Sequence, residues 1–370
     1  MIITKTNRGV KYLYYRFWDP KSKKRVDIYC GKVGSNQAEE RANELERLYL
    51  RNKMDKLRRK LREYERRGSK IESGPIRPPN GQVSLQQILR VKTRHQIVFG
   101  DSREMNEIPN GSVQLVLGSP PYFNAPFDYK GSFKGWPEYQ SFVQDSACEI
   151  GRILEDGRIA AIVCDDIITE DGRYPVVAEI TRAFMDLGFR YRDTIVWIKP
   201  KGYIRKSRRS GVTVQHPFPM YFYTDNVTES ILIFQKKGSL KRLPERTRLE
   251  SRLDLADFFD NDLYVNVWDI TNVLPKRNRI EKDVAAFPYE IPYRLIKLFS
   301  YVGETVLDPW LGSGTTLQAA IDLCRNGVGY EINARLKDVI LRKIGPRLKA
   351  NQNRLKMTSA RTGKTEIIAR

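Results

Sequence analysis

Two groups of residues in this 370-residue chain could do chemistry. The first is Ser119-Pro120-Pro121-Tyr122, which comes after the apolar run Val113-Gln114-Leu115-Val116-Leu117 and Gly118. Such a run, bounded by turn formers, reads as a buried strand, and a buried parallel strand delivers the residues after it to the carboxyl edge of its sheet. The two prolines fix φ and hold the residue before each in extended geometry, so the carbonyls of Ser119 and Pro120 are rigidly presented. Tyr122 adds a flat face beside these acceptors. Together they form a pocket for a planar group bearing an amine, such as a base taken out of its stack. A packed Pro-Pro turn has the same local sequence, so this stretch alone does not decide between the two.

The second group is Asp308-Pro309-Trp310-Leu311-Gly312-Ser313-Gly314-Thr315-Thr316, entered from Val306-Leu307 and followed by a predicted helix through Cys324. A strand, a Gly-Ser-Gly turn and a helix start leave backbone N–H groups that can hold a carboxylate or phosphate. Seventeen residues after Gly314 comes Glu331, at the end of Gly327-Val328-Gly329-Tyr330. An acidic residue ending the next strand is placed to accept hydrogen bonds from both hydroxyls of a ribose. A Gly-x-Gly alone is weak evidence; with Glu331 it points to a nucleoside cofactor.

Alternating strands and helices position both groups. Ile97–Phe99, Val113–Leu117, Arg158–Asp165, Tyr191–Ile198, Glu229–Gln235 and Thr305–Leu307 read as strands. Trp136–Leu154, Tyr174–Leu187 and Pro292–Ser300 read as helices between them. This order builds an α/β fold, a mostly parallel sheet with right-handed crossovers. Residues 1–80 differ. Lys11–Trp18 and Arg25–Tyr29 predict a β-hairpin, a charged helix runs from Ser35 or Asn36 to about Arg67, and turn formers over 73–81 mark a boundary. Residues 81–350 then form the main domain and 351–370 a basic tail.

The net charge of +21 points to a polyanion partner, nucleic acid first. Residues 1–80 hold 22 of the Lys and Arg against 10 acidic residues, which suits a DNA-binding or dimer arm. Two further basic stretches, 199–216 with Lys201, Arg205, Lys206, Arg208 and Arg209, and 238–283, are candidates for contact with the nucleic acid. No run is long and apolar enough to span a membrane and the amino terminus carries no secretory pattern, so a cytoplasmic location is expected. Cys30, Cys148, Cys164 and Cys324 are scattered and His95 and His216 are the only histidines, which supports no metal site.

Asp308–Thr316 resembles the motif Asp-Pro-Phe-x-Gly-Ser-Gly-Thr-Thr of the S-adenosylmethionine-dependent DNA amino-methyltransferases, with Trp310 where Phe is usual. Ser119–Tyr122 is similar to their catalytic motif. Gly100-Asp101, Gly157-Arg158, Trp197–Pro200, Val267–Ile270 and Phe287-Pro288 agree, and the likeness covers about 92–345. The catalytic motif precedes the cofactor motif, the permuted order of the family's β class. The resemblance implies a Rossmann-like sheet and S-adenosyl-L-methionine as cofactor. The Asp308 side chain and the backbone of Gly312–Thr315 would hold its methionine end, Glu331 the ribose and Asp101 the adenine, with Pro309 also at the cofactor, Trp310 as an aromatic wall, and Phe287 and Pro288 closing the pocket.

The resemblance further implies a site-specific enzyme that methylates the N4 amine of a flipped cytosine in double-stranded DNA, since Ser at the first catalytic position is commoner in cytosine enzymes. Adenine N6 and an RNA cytosine are alternatives, as is a non-catalytic DNA-binding protein with a decayed fold. A homodimer and a separate restriction endonuclease are compatible partners. The absence of a Pro-Cys dipeptide argues against methylation of a cytosine ring carbon, which needs a thiolate.

Overall fold

The computed structural model describes residues 2–7, 9–19, 24–45, 91–124, 132–169, 172–199, 216–220, 227–271, 287–350, 353–360 and 362–369. The chain divides into two compact units, 1–82 and 83–370. The boundary expected over 73–81, the second half of the charged helix and Lys201, Arg205, Lys206, Arg208 and Arg209 lie outside the described residues.

The first unit is a three-stranded antiparallel sheet, β1 (Ile2–Asn7), β2 (Val10–Asp19) and β3 (Lys24–Lys32), in the order β1-β2-β3. The expected hairpin is β2 and β3; β1 adds a strand that Ile2-Ile3, at the very end of the chain, was too short a run to signal. Helix α1 begins at residue 36, where the sequence expects it, and continues through the last described residue of that stretch, 45. It covers one face of the sheet, burying Tyr15, Cys30 and Ala42 with Leu13 and Leu45 packed against them. Gly31 permits this approach: a Cβ there would stand 2.7 Å from that of Ala38, and its φ of +142° is one that a side chain disfavours.

Among the described residues of the second unit, ten strands form one sheet. Its members are β4 (Arg94–Phe99), β5 (Val113–Gly118), β6 (Leu154–Cys164), β9 (Arg190–Ile198), β10 (Thr228–Gln235), β11 (Val267–Asp269), β12 (Thr305–Asp308), β13 (Asn326–Glu331), β14 (Arg354–Ser359) and β15 (Thr365–Ala369). A separate ribbon pairs β7 (Ile167–Ile168) with β8 (Arg173–Tyr174). The order across the sheet is β11-β9-β10-β6-β5-β12-β13-β4-β14-β15. β6, β5, β12, β13, β4 and β14 run parallel, while β10 is antiparallel to both its neighbours. This is the mostly parallel, Rossmann-like α/β sheet expected.

Alternation along the central strands sends side chains to two cores. Val116, Ala160 and Ile162 face helices α2 (Trp136–Ile153) and α3 (Val176–Asp186). Leu115, Leu117, Ala161 and Val163 face the opposite side, with α6 (Glu290–Phe299) and α7 (Thr315–Asp322). Helix α8 (Lys337–Ala350) packs there too, over Ile97 and Leu317. Helices on both faces are what a parallel sheet requires.

Two expectations are corrected. Residues 351–370 are not a tail: β14 pairs with β4 and buries Leu355 and Met357, so Arg354 and Lys356 are the outward half of an alternating strand. The basic stretch 238–283, for which the sequence reading gives no helix or strand, holds regular elements: among its described residues are α4 (Glu245–Glu250), α5 (Leu255–Asp260) and β11. Phe258, Phe259 and Tyr264 form a small aromatic cluster there, with ring centroids 5.4–6.2 Å apart. No helix among the described residues is long and apolar enough to cross a membrane.

Candidate active site

The sheet order sets the site. β5, β12, β13 and β4 are neighbours and parallel, so their carboxyl ends stand side by side along one edge. They deliver, in that order, Ser119, the loop after Asp308, Glu331 and Asp101. The first two loops touch: a Cβ on Gly118 would come within 2.6 Å of Asp308 Oδ1, 3.1 Å of Trp310 Cε3 and 3.2 Å of Pro309 Cδ. Gly118 therefore lets the amine-binding turn and the glycine loop share a wall.

The glycine loop is bound into the sheet. Leu311 N–H donates to Tyr330 O at 2.8 Å, and Gly314, with φ +86°, caps the start of α7. Asp308 is 1% exposed; Oδ1 accepts from Trp310 N–H at 3.0 Å and Oδ2 from the Thr316 hydroxyl. Burial pushes its carboxyl up to about 7, against the lowering effect of those two donors. The resemblance puts Asp308 at the methionine end of the cofactor; here its carboxyl organises the loop itself.

Glu331 is also buried. Its Oε2 accepts from Gly312 N–H and Oε1 from Asn333 N–H, both at 2.8 Å. Burial raises its pKa, partly offset by these backbone donors. Each carboxylate oxygen retains a further acceptor site, which is what the two donors of a ribose diol need. Asp101, beyond the end of β4, is gripped by the Arg103 fork at 2.6–3.1 Å and by Arg103 N–H at 2.9 Å. Those hydrogen bonds hold its carboxyl below the usual range despite partial burial. Pro288 is buried and Phe287 half-buried just ahead of α6, against the core that contains Leu117 and Val306.

On the other side, the Tyr122 hydroxyl is hydrogen-bonded to the Ser119 side chain. The residue is half-buried, and burial raises its pKa well above the ordinary value, helped by the charges of Glu229 and Asp165 and by Cys164. The turn rests on an aromatic floor: Phe123 lies 4.6 Å from Tyr174, 5.2 Å from Trp136 and 5.6 Å from Tyr139 between centroids. Asn124, at φ +42°, is tied to Phe133, donating Nδ2–H to Phe133 O at 2.7 Å and accepting Phe133 N–H on Oδ1 at 2.9 Å.

Sequence reasoning missed several of these residues. Asn124 and Phe133 are ordinary residues nine apart; only their cross-loop pairing marks them. Asp165, Glu229 and Lys199 reach Tyr122's end of the sheet because β10 is antiparallel, and Lys199 Nζ pairs with Glu229 there. Lys199 lies in a stretch already noted for its resemblance, which was the available signal. Lys343 on α8 donates Nζ–H to Ser313 Oγ at 2.5 Å and Thr315 Oγ1 at 3.0 Å, bringing an ammonium to the glycine loop. The chemistry of these groups suits such a cofactor: an ammonium at the glycine loop can take a carboxylate, and the Glu331 carboxylate a ribose diol.

Comparison with known proteins agrees. The N6/N4 methyltransferase family model, described as DNA methylase, matches residues 113–342, from β5 into α8. The chain is 32% identical over 291 residues to the Type II methyltransferase M.MjaI of Methanocaldococcus jannaschii, covering 69% of this chain and 92% of that one. It is 26% identical over 259 residues to the DNA adenine methyltransferase YhdJ of Escherichia coli, covering 67% and 82%. The crystal structure of a DNA modification methylase from Thermus thermophilus, complexed with S-adenosyl-L-methionine, matches at TM-score 0.54 and 27% identity, over 70% of this chain and 99% of that one.

Proposed function

From membership of the N6/N4 DNA methylase family, to which this chain belongs, we propose that its carboxyl edge methylates the N4 amine of a cytosine drawn out of duplex DNA. The chain is an S-adenosyl-L-methionine-dependent DNA methyltransferase; the identity of the amine is the further step. The observation that supports transfer at this edge is the seam at Gly118, which sets Ser119 against the glycine loop; the choice of cytosine rests on the family resemblance of Ser119.

Bound to that loop, S-adenosyl-L-methionine supplies an electrophilic methyl group on a sulfonium. Lys343 and the backbone of Gly312–Thr315 receive the amino-acid end, Glu331 the ribose and Asp101 the adenine, while Phe287 and Pro288 close the pocket and Trp310 forms a wall. A Ser119 hydroxyl that donates to Tyr122 keeps its lone pairs for one amine hydrogen; the Pro120 carbonyl takes the other. Pro121 holds that carbonyl in place. Nitrogen so held leans toward tetrahedral geometry, and its lone pair would form the new N–C bond as the methyl group's bond to sulfur breaks and sulfur keeps that electron pair as a neutral thioether. The proton that the methylated nitrogen then sheds leaves along the same acceptors to water. Tyr122 stacks on the base, worth on the order of 1–3 kcal/mol. Asp165 and Glu229, whose charges already reach Tyr122, favour the positive charge that grows on nitrogen.

The resemblance favours cytosine, since Ser at the place of Ser119 is commoner in the family's cytosine enzymes. The adenine reading keeps its place because YhdJ is named an adenine enzyme and a hydroxyl can accept from either amine. Mass spectrometry of nucleosides from DNA of cells expressing the protein separates them. We expect N4-methylcytosine; N6-methyladenine in its place overturns the choice of base, and modified RNA with unmodified DNA overturns the DNA substrate. The Type II name of M.MjaI supports a modification enzyme acting beside a separate restriction endonuclease.

A further inference from the structure

The first unit has a face that its own fold leaves without a cover among the described residues. α1 packs on the side of the sheet that carries Leu13, Tyr15 and Cys30. On the other side the register builds rows across three strands. Lys5, Tyr12 and Lys32 form one row, Tyr14 and Tyr29 pair in the next, and Arg16 faces Asp27 in the third. A bulge makes this possible: Leu13 pairs with Gly31 and Tyr14 with Tyr29, so Cys30 is the extra residue and both Tyr29 and Lys32 emerge on the same face.

The tyrosines stand together, with Tyr29 centred 5.9 Å from Tyr12 and 5.5 Å from Tyr14, and Tyr29 is 51% exposed. Lys5 Nζ lies 4.8 Å over the Tyr14 ring. Asp27 is engaged by Lys5 at 2.7 Å and by the Arg16 fork at 2.7 and 2.8 Å, which keeps its carboxyl ionised and its charge matched. Residues 1–32 hold nine Lys or Arg against Asp19 and Asp27.

We propose that this tyrosine and lysine face is a second DNA-binding surface, one that seats the three-stranded sheet in the major groove of the substrate duplex. The inference rests on the reading of the chain as a DNA methyltransferase. Strands spaced about 4.8 Å apart make the sheet about 10 Å across, and the groove is about 12 Å wide. Lys32, and the donors of Lys5 and Arg16 that Asp27 does not take, can reach phosphates, since two cations against one carboxylate leave that cluster positive; the phenol rims of Tyr12, Tyr14 and Tyr29 offer hydroxyls that can give or accept at base edges. A second copy of this face is a poor occupant, because it would set Lys5 and Lys32 against the same charges. A polyanion with stacked edges complements both features.

The test uses the full chain and a long fluorescent duplex of random sequence, titrated by anisotropy over a salt series. Lys5→Gln/Lys32→Gln, with thermal melting to check the fold, is expected to weaken binding about tenfold at low salt and to make the log–log salt slope shallower by roughly two. S-adenosyl-L-methionine affinity and turnover at saturating DNA should stay unchanged. Tyr29→Ala, at an exposed ring, should weaken binding without altering the slope. Unchanged affinity and slope in both variants overturn the proposal. So does a change from dimer to monomer by sedimentation with DNA affinity intact, which would make the face an interface between copies. If the wild-type chain methylates no DNA while the variants still lose duplex affinity, the surface stands and the catalytic reading falls.

Discussion

The two halves of the carboxyl edge are held in different ways. On the donor half, β12 and β13 end in Asp308 and Glu331 and β4 leads into Asp101, and each carboxylate is fixed by a backbone N–H close in sequence or on the neighbouring strand's loop. On the acceptor half, the turn after β5 is held from below by rings, and its charged groups, Asp165, Glu229 and Lys199, gather around Tyr122. A mould of backbone donors suits one unvarying ligand. An aromatic floor with an ion pair at its rim suits a base that must arrive from a duplex and acquire charge there. Gly118 is the seam between them.

Breaking the seam should cost most. In Gly118→Ala the new methyl would meet Asp308 Oδ1 at 2.6 Å and the Trp310 ring at 3.1 Å, so one loop must move. A displacement near 1 Å at reacting groups costs about a hundredfold. We expect at least that loss in kcat/KM together with weaker binding of S-adenosyl-L-methionine by calorimetry; loss of turnover with unaltered cofactor binding would show that only the acceptor half had moved.

Glu331→Gln acts on the donor half alone. Replacing a charged acceptor of two ribose hydroxyls should weaken cofactor binding by about tenfold or more, on a loss of about 1.5–3 kcal/mol. Duplex affinity should not change. A parallel loss of DNA binding would contradict the division of the edge.

Asp308→Asn reads the same half through stability. The Asp308 carboxyl is raised to about 7 in the fold, mainly by burial, above its unfolded value near 3.8. Between these values the native state holds a proton that the unfolded chain has released, so this residue's contribution falls as pH rises from about 4 to 7. Denaturant titrations should show wild type losing stability relative to Asp308→Asn across that window, with parallel curves above it. A difference that grows in the opposite direction would mean that the carboxyl is ionised in the fold.

The halves also differed in how far the sequence disclosed them. β5, β12 and β13 are short apolar runs that end in turn formers and chemically specific residues, so strand, edge and loop could all be read from one line of text. Asp165, Glu229 and Lys199 come together only because β10 inserts antiparallel between β6 and β9, and local pattern does not fix strand order. The floor under Tyr122 depends on Phe123 meeting Tyr174, fifty-one positions away. Leu355 and Met357 did carry an alternation, but Arg354 and Lys356 interleaved with them made the segment resemble a tail.

The acceptor half yields the smallest effect. Glu229 is mostly buried and neutralised by Lys199, so its residual field at the amine is modest, on the order of 1 kcal/mol at a short separation and high effective dielectric. Glu229→Gln should therefore lower kcat about fivefold, with cofactor affinity unchanged, because nitrogen acquires positive charge only in the transition state. Lys199→Met provides the opposing control. It removes the neutralising cation and leaves Glu229 bare, so its rate should fall less than that of Glu229→Gln if the carboxylate acts through charge. Equal losses would make the pair a structural clasp between β9 and β10.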